Sequence, residues 1–232
     1  MRIAIMQPYL FPYIGYFQLI NAVDKFVVYD DVTYIKQGWI NRNNILVNGK
    51  KTLFTAPLVG ASSNKLIYQI LVANIENWSM SFYKTIEQNY KKAPFYNPTI
   101  SILERSLSPA YSSISGLSVN CLKSVIEYLD INTEVIESSR IYNNQVLKSQ
   151  ERVIDICVKE KAHHYINAIG GTSLYSLECF VDKNIELSFI NTNPIEYQQF
   201  NNLFVPWLSI IDVLMFNSPS EIRHFLHLYD LT

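Results

Sequence analysis

The sequence predicts an α/β fold, Rossmann-like, with a mostly parallel sheet carrying helices on both faces, a β-hairpin insertion and C-terminal helices. Three observations predict it. At the N-terminus two branched apolar runs, "RIAIM" and "DKFVVYDD", bracket a short amphipathic segment, "GYFQLINAV", which makes a strand, helix, strand unit. The same alternation resumes later in "TEVIESSR", "SQERVIDICVKEKA" and "HHYINAIGG". Between them two β-leaning runs flank "VNGKK", and Asn48-Gly49 is a favoured pair for a tight hairpin turn.

The elements follow in order. After the second strand comes a hairpin arm over about residues 39–56. A helix beginning near "NWSMSF" is stopped by Pro94, with further helices around 98–107 and 111–129, so helical segments span about 77–129. In "SQERVIDICVKEKA" the apolar residues Val153, Ile154, Cys157 and Val158 recur at helical spacing. "IELSFINTN" supplies another strand, and "PWLSIIDVLMFNS" with "PSEIRHFLHLY" closes the chain, over about 206–229, as two helices each with proline at its start. No repeat, low-complexity tract or linker divides the chain, so a single domain over 1–232 is expected.

Composition narrows the function. Nineteen basic residues against 20 acidic ones leave a formal net charge of -1, which argues against non-specific binding to nucleic acid. The N-terminal apolar run is broken by Gln7 and Pro8 and does not read as a signal peptide, and no segment approaches the roughly 20 apolar residues of a membrane span. Cys121, Cys157 and Cys179 are scattered and odd in number, which suits free thiols in a reducing, cytoplasmic setting and offers no zinc spacing.

Ligands of open α/β sheets gather at the carboxyl ends of strands, so Tyr9, Tyr13, Tyr29, Asp30 and Asp31 are expected on one rim. Asp30 and Asp31 alternate faces, and one of the two carboxylates is expected to point inward. Gly15, after a strand and a proline-rich loop, can let an anion approach the positive end of a helix. "WINRNNI" sets Trp39 and the amides of Asn41 and Asn43 around Arg42, whose fork suits phosphate or carboxylate. Arg140 ends "ESSR", and Gly170 and Gly171 begin "GGTSLY", where backbone and hydroxyl donors meet; each can also be a plain cap or turn. His163 and His164 begin a strand and read as structural, as do His224 and His227, so no Ser-His-Asp or Cys-His arrangement stands out. Asp212, alone in an apolar helix, demands a hydrogen-bond donor or a cation.

Taken together, "QPYLFPYIGYFQLINAVDKFVVYDDVTYIKQGWINRNNI", "SSR", "KSQERVIDIC", "GGTSLY" and "PIEYQQFNNLFVPWLSIIDVLMFN" resemble the WbqC-like family of bacterial proteins along nearly the whole chain. The family pattern falls here on Gln7, Pro8, Pro12, Gly15, Tyr16, Asp30, Asp31, Trp39, Asn41, Arg42, Asn43, Gly170, Gly171, Tyr175, Pro194, Tyr197, Gln199, Ser209 and Asp212, with Asn193 standing where the family is associated with His. A fainter similarity joins the first strand and turn to the HIGH-motif nucleotidylyl transferases, pantothenate synthetase among them, with Tyr13 and Tyr16 in the places of their two histidines.

The resemblance implies surface-polysaccharide (O-antigen) biosynthesis and acyl or aminoacyl transfer to the amine of a nucleotide-linked amino sugar. In that chemistry Asp30 or Asp31 is the expected base, Arg42 and Arg140 are the anion anchors, and backbone N–H groups near Gly15 or Gly170 stabilise the oxyanion. Tyr13 and Tyr16 would stack on base or sugar, with Gln7, Tyr175, Tyr197 and Gln199 completing the binding set. The donor could be an acyl-CoA, an aminoacyl donor or, for an amide ligase, ATP. A non-catalytic sugar-nucleotide binder is the alternative, the expected partner is a small molecule, and an oligomer is compatible with either.

Overall fold

The computed structural model describes residues 1–201 and 203–232. Its strands and helices follow the chain as β1 (Arg2–Met6), α1 (Ile14–Asn21), β2 (Lys25–Val28), β3 (Arg42–Val47), β4 (Lys50–Thr55), β5 (Leu58–Val59), β6 (Leu71–Val72), α2 (Ile75–Tyr90), α3 (Tyr96–Ser106), α4 (Ile114–Leu129), β7 (Glu134–Ile136), α5 (Ser149–Lys159), β8 (His164–Ala168), α6 (Leu177–Val181), β9 (Glu186–Thr192), α7 (Ile210–Phe216), α8 (Pro219–Phe225) and β10 (Tyr229–Leu231).

The main sheet runs β10-β9-β8-β1-β2-β7, parallel except for the antiparallel edge strand β10. From β1 the chain moves outward through β2 to β7, then returns to the other side of β1 for β8, β9 and β10. The order therefore reverses between β1 and β8, where sheets of this kind open a crevice at their carboxyl edge.

Alternation along the strands places helices on both faces. Ala4, Phe26, Val28, Ile166 and Ile190 enter one apolar core with Phe17, Leu122 and Ile222 from α1, α4 and α8. Ile3, Ile5, Val27 and Tyr165 enter the opposite core with Val153, Cys157 and Phe180 from α5 and α6. The expected mostly parallel α/β sheet with its hairpin insertion is thus present.

The hairpin β3–β4 pairs from Arg42↔Thr55 to Val47↔Lys50. Its turn has positive φ at both Asn48 (52°) and Gly49 (72°), the conformation that made Asn-Gly the signal. The last helices depart from expectation. Pro219 does open α8, but α7 begins at Ile210, four residues beyond Pro206, with Ser209 as its cap. The run after α8 pairs with β9 as β10, because Tyr229–Leu231 can satisfy an edge that would otherwise be open.

Candidate functional site

The tyrosine-rich loop after β1 crosses the carboxyl edge of the sheet and is knitted to distant segments. The Phe11 carbonyl accepts hydrogen bonds from Asn43 Nδ2 at 2.6 Å and Ser209 Oγ at 2.7 Å, and the Pro12 carbonyl accepts the Ile210 N–H at 2.8 Å. The loop N–H of Leu10 donates to Ile40, and Phe11 itself adopts a φ of 44°. Tyr16 is buried and donates its hydroxyl proton to the Gln7 carbonyl at 2.7 Å, so its ring belongs to the core, where Phe26 lies 5.4 Å away. Tyr9 and Tyr13 are half-buried at the surface. Gly15 is required by close approach: a methyl group there would overlap the Tyr13 ring and the Thr192 hydroxyl. The start of α1 is therefore covered by an aromatic ring.

Two hollows share Tyr13 and Trp207, whose ring centroids are 6.0 Å apart. The larger, about 610 Å³, lies beyond the end of β9 and is mainly apolar, with Ile14, Ile195, Tyr197 and Phe204 beside Thr192 and Glu196. The smaller, about 310 Å³, presents Tyr9, Trp39, Asn43, Asn44 and Lys51. Trp39 is 49% exposed and Trp207 63% exposed, unusual for large rings beside a cavity. Tyr13 thus stands as the wall of a two-part aromatic cleft.

One wall of the larger hollow is built from residues 193–197, Leu203, Phe204 and residues 206–208. Gln199 closes part of it into a loop, accepting the Val205 N–H at 2.7 Å and donating to the Val205 carbonyl at 3.1 Å. Gln199 also donates to Asp212 Oδ1 at 2.7 Å, as does the Tyr197 hydroxyl at 2.7 Å, while the Tyr90 hydroxyl donates to Oδ2 at 2.8 Å. Burial raises the Asp212 carboxyl above its ordinary value, and the three donors offset part of that rise. The partner that the sequence demanded for this acid is a set of neutral donors.

A third hollow, about 210 Å³, opens where β2 and β7 end against the start of α4. Parallel pairing of Val27 with Ile136 carries "YDD" and "ESSR" to the same edge. Asp30 accepts the Ser115 hydroxyl at 2.9 Å and the Ser138 hydroxyl at 2.6 Å, and burial raises its carboxyl against those bonds. Arg140 lies over the Tyr68 ring, 4.5 Å from its centroid, and donates through Nε to Ser138 Oγ at 2.9 Å. Asp31, expected to turn outward if Asp30 turned inward, is buried as well. Its carboxylate pairs with Arg152 and accepts from Ser139 and, at 3.1 Å, from Gln145. Asp30 finds its donors on α4 and after β7, whereas Asp31 is buried because α5 brings a guanidinium under the strand end, and that guanidinium also lies 5.0 Å from the Tyr29 ring centroid.

The remaining residues singled out by sequence fall elsewhere. Arg42 spends its guanidinium on loop carbonyls, Nε to Gly38 at 2.8 Å and an Nη to Gln37, with Trp39 at 5.9 Å. Asn41 binds the Ala56 carbonyl at 2.8 Å and accepts from Tyr34 at 3.1 Å. Gly170, Gly171 and Tyr175 cluster beyond β8: Tyr175 OH meets Asn167 Nδ2 at 2.9 Å, and Gly171 leaves room for the Asn167 amide. Tyr13, Trp39, Asn43 and Tyr197 thus line the aromatic cleft, Asp30 and Arg140 line the third hollow, and the glycine pair lies by neither.

Sequence reasoning missed Trp207, Asn44 and Lys51 in the cleft and Arg152 beneath Asp31. A guanidinium directly before Val153 and Ile154 on a buried helix was the available signal for Arg152. Trp207, at a φ of 60° in an irregular segment, had none.

The model of the WbqC-like protein family matches residues 7–224. The uncharacterized protein Rv1507c of Mycobacterium tuberculosis (strain ATCC 25618 / H37Rv) is 27% identical over 229 residues, covering 97% of each chain. No solved structure matches this chain.

Proposed function

The chain belongs to the WbqC-like protein family, and from that premise we propose that it transfers an acyl or aminoacyl group to the amine of a nucleotide-linked amino sugar in cytoplasmic O-antigen synthesis. The observation that carries the reading is the aromatic cleft divided by Tyr13 and Trp207. Sugar rings offer C–H faces to aromatic rings and hydroxyls to amides, and the smaller hollow supplies Trp39 and Tyr9 with Asn43 and Asn44. Lys51 gives a diphosphate its cation there, and the larger hollow offers apolar room to the base or the donor.

In the reaction the amine nitrogen attacks the acyl carbon, a C–N bond forms, the bond to the donor's leaving group breaks, and the amine's proton passes to a base. Neither of the two adjacent acids lines the cleft, whose own carboxylate is Glu196. Asp31 is committed to Arg152 and Asp30 opens on the separate third hollow, so a base for the cleft has to come from its own lining or from solvent at the substrate.

One observation favours a non-catalytic binder as the second reading: the aromatic cleft itself has Lys51 and Glu196 as its charged lining residues, and Asp30 lines a different hollow. Titration of uridine and thymidine diphosphate amino sugars, followed by tryptophan fluorescence, tests binding. Mass spectrometry of the same mixtures with acyl-CoA, or with an amino acid and ATP, tests transfer. An N-acylated sugar nucleotide supports the enzyme, with AMP and pyrophosphate marking a ligase. Binding without product supports the binder, and absence of both rejects the sugar-nucleotide reading.

A further inference from the structure

We propose that the hollow at the ends of β2 and β7 binds a free α-amino acid with a small side chain, the ammonium held by Asp30 and the carboxylate by Arg140. The argument starts from how its charges are arranged. Asp30 is buried, 2% exposed, and its carboxylate accepts two serine hydroxyls, which leaves about half of its roughly four lone-pair positions for another donor. The Arg140 backbone N–H and Nε both donate to Ser138 Oγ, and the flat fork of its two Nη groups is left for a carboxylate. Among the described residues no ion pair joins Arg140 to Asp30 directly; the Ser138 hydroxyl stands between them, donating to the acid and accepting from the guanidinium.

A negative and a positive group held one hydroxyl apart are the complement of a zwitterion. The other charges at the rim, Lys123 and Glu137, neutralise each other at 2.7 Å and leave the hollow balanced. A lone anion would meet Asp30, and a lone cation would meet Arg140; a molecule carrying both charges satisfies both.

Size and direction narrow the ligand further. A volume of about 210 Å³ is below the range of about 300–1,000 Å³ usual for larger ligands, which limits the side chain. An acid at the end of the second strand of such a sheet commonly meets a ribose placed by the loop after the first strand. Here the hollow is bounded by α4, the residues just after β7 and Tyr68, and residues 7–15 contribute nothing to its lining, so a nucleoside has no such approach to Asp30. The role of this amino acid as an aminoacyl source rests on the transfer reading above; its binding does not.

Calorimetry and thermal denaturation with glycine, L-alanine and L-serine test the inference, with ethanolamine, glycolate and uridine as probes that carry one charge or a ribose. At least one amino acid is expected to bind about tenfold or more tighter than ethanolamine and glycolate, and Arg140→Gln, a change at an exposed residue, to weaken it at least about tenfold. Asp30→Asn is expected to do the same. Silence with all three amino acids, binding untouched by Arg140→Gln, or uridine binding that depends on Arg140 would each overturn the site. A sugar-nucleotide titration run in parallel separates the two readings: a fluorescence response with no amino-acid binding rejects this inference alone, and the converse rejects the cleft.

Discussion

Tyr197 donates its hydroxyl proton to Asp212 Oδ1 at 2.7 Å, and that bond moors the wall of the larger hollow to a buried acid which no cation pairs among the described residues. A carboxylate placed this way depends on every donor it has. Removing it leaves hydroxyl and amide donors buried without an acceptor, each worth about 1–3 kcal/mol. Asp212→Ala is expected to cost about 3 kcal/mol or more by urea denaturation and to loosen the hollow.

Asp212 also sets a pH dependence. Burial raises its carboxyl above the ordinary 3.8, so the folded chain keeps the proton to higher pH than the unfolded chain does. Its contribution is full below 3.8 and is lost as pH rises through the raised folded value. Stability of the native chain relative to Asp212→Asn should therefore fall with pH across that window and level off above it; a difference that rises with pH would contradict the assignment.

Arg152 is held between Asp31, Asn144 and the Tyr29 ring. Breaking a buried ion pair from one side strands the other charge, at about 3–5 kcal/mol. Arg152→Ala should lose that much in chemical denaturation, and Arg152→Ala with Asp31→Ala should lose less than the two single changes added together.

Gly15→Ala pushes a methyl group into the Tyr13 ring and the Thr192 hydroxyl. Overpacking of this kind costs about 1–3 kcal/mol. Because Tyr13 is the wall shared with Trp207, the change should also shift tryptophan emission in the absence of ligand. An unchanged melting temperature and spectrum would place Tyr13 elsewhere.

Arg42→Ala frees the Gln37 and Gly38 carbonyls and unseats Trp39. Sugar-nucleotide affinity, measured by calorimetry, is expected to fall about tenfold, roughly 1.4 kcal/mol, while amino-acid binding at the third hollow holds. Equal affinities would remove the Arg42 loop from the site.

Local patterns carried much of the fold. Alternating apolar strands and helical periodicity marked β1, α1, β2, α5, β8 and β9, and Asn48-Gly49 marked the hairpin, because these signals are written within a few neighbouring residues. β10 was missed because an edge strand this short has meaning only beside β9. The candidate site divided along the same line: "YDD" and "SSR" could be placed at a sheet edge, but which acid would meet Arg152 and which would open on a hollow depends on α4 and α5 packing from opposite faces.

By itself the sequence determined the α/β alternation, the hairpin, the near-neutral charge and the family pattern, all of which are properties of residue type and near spacing. Only the tertiary structure decided that Arg42 clamps its own loop, that Arg152 takes Asp31, and that Tyr13, Asn43 and Trp207 meet across the chain. The physical reason is that a polar side chain goes to whichever partner removes its burial cost, and contacts distant in sequence are fixed only when the whole core packs.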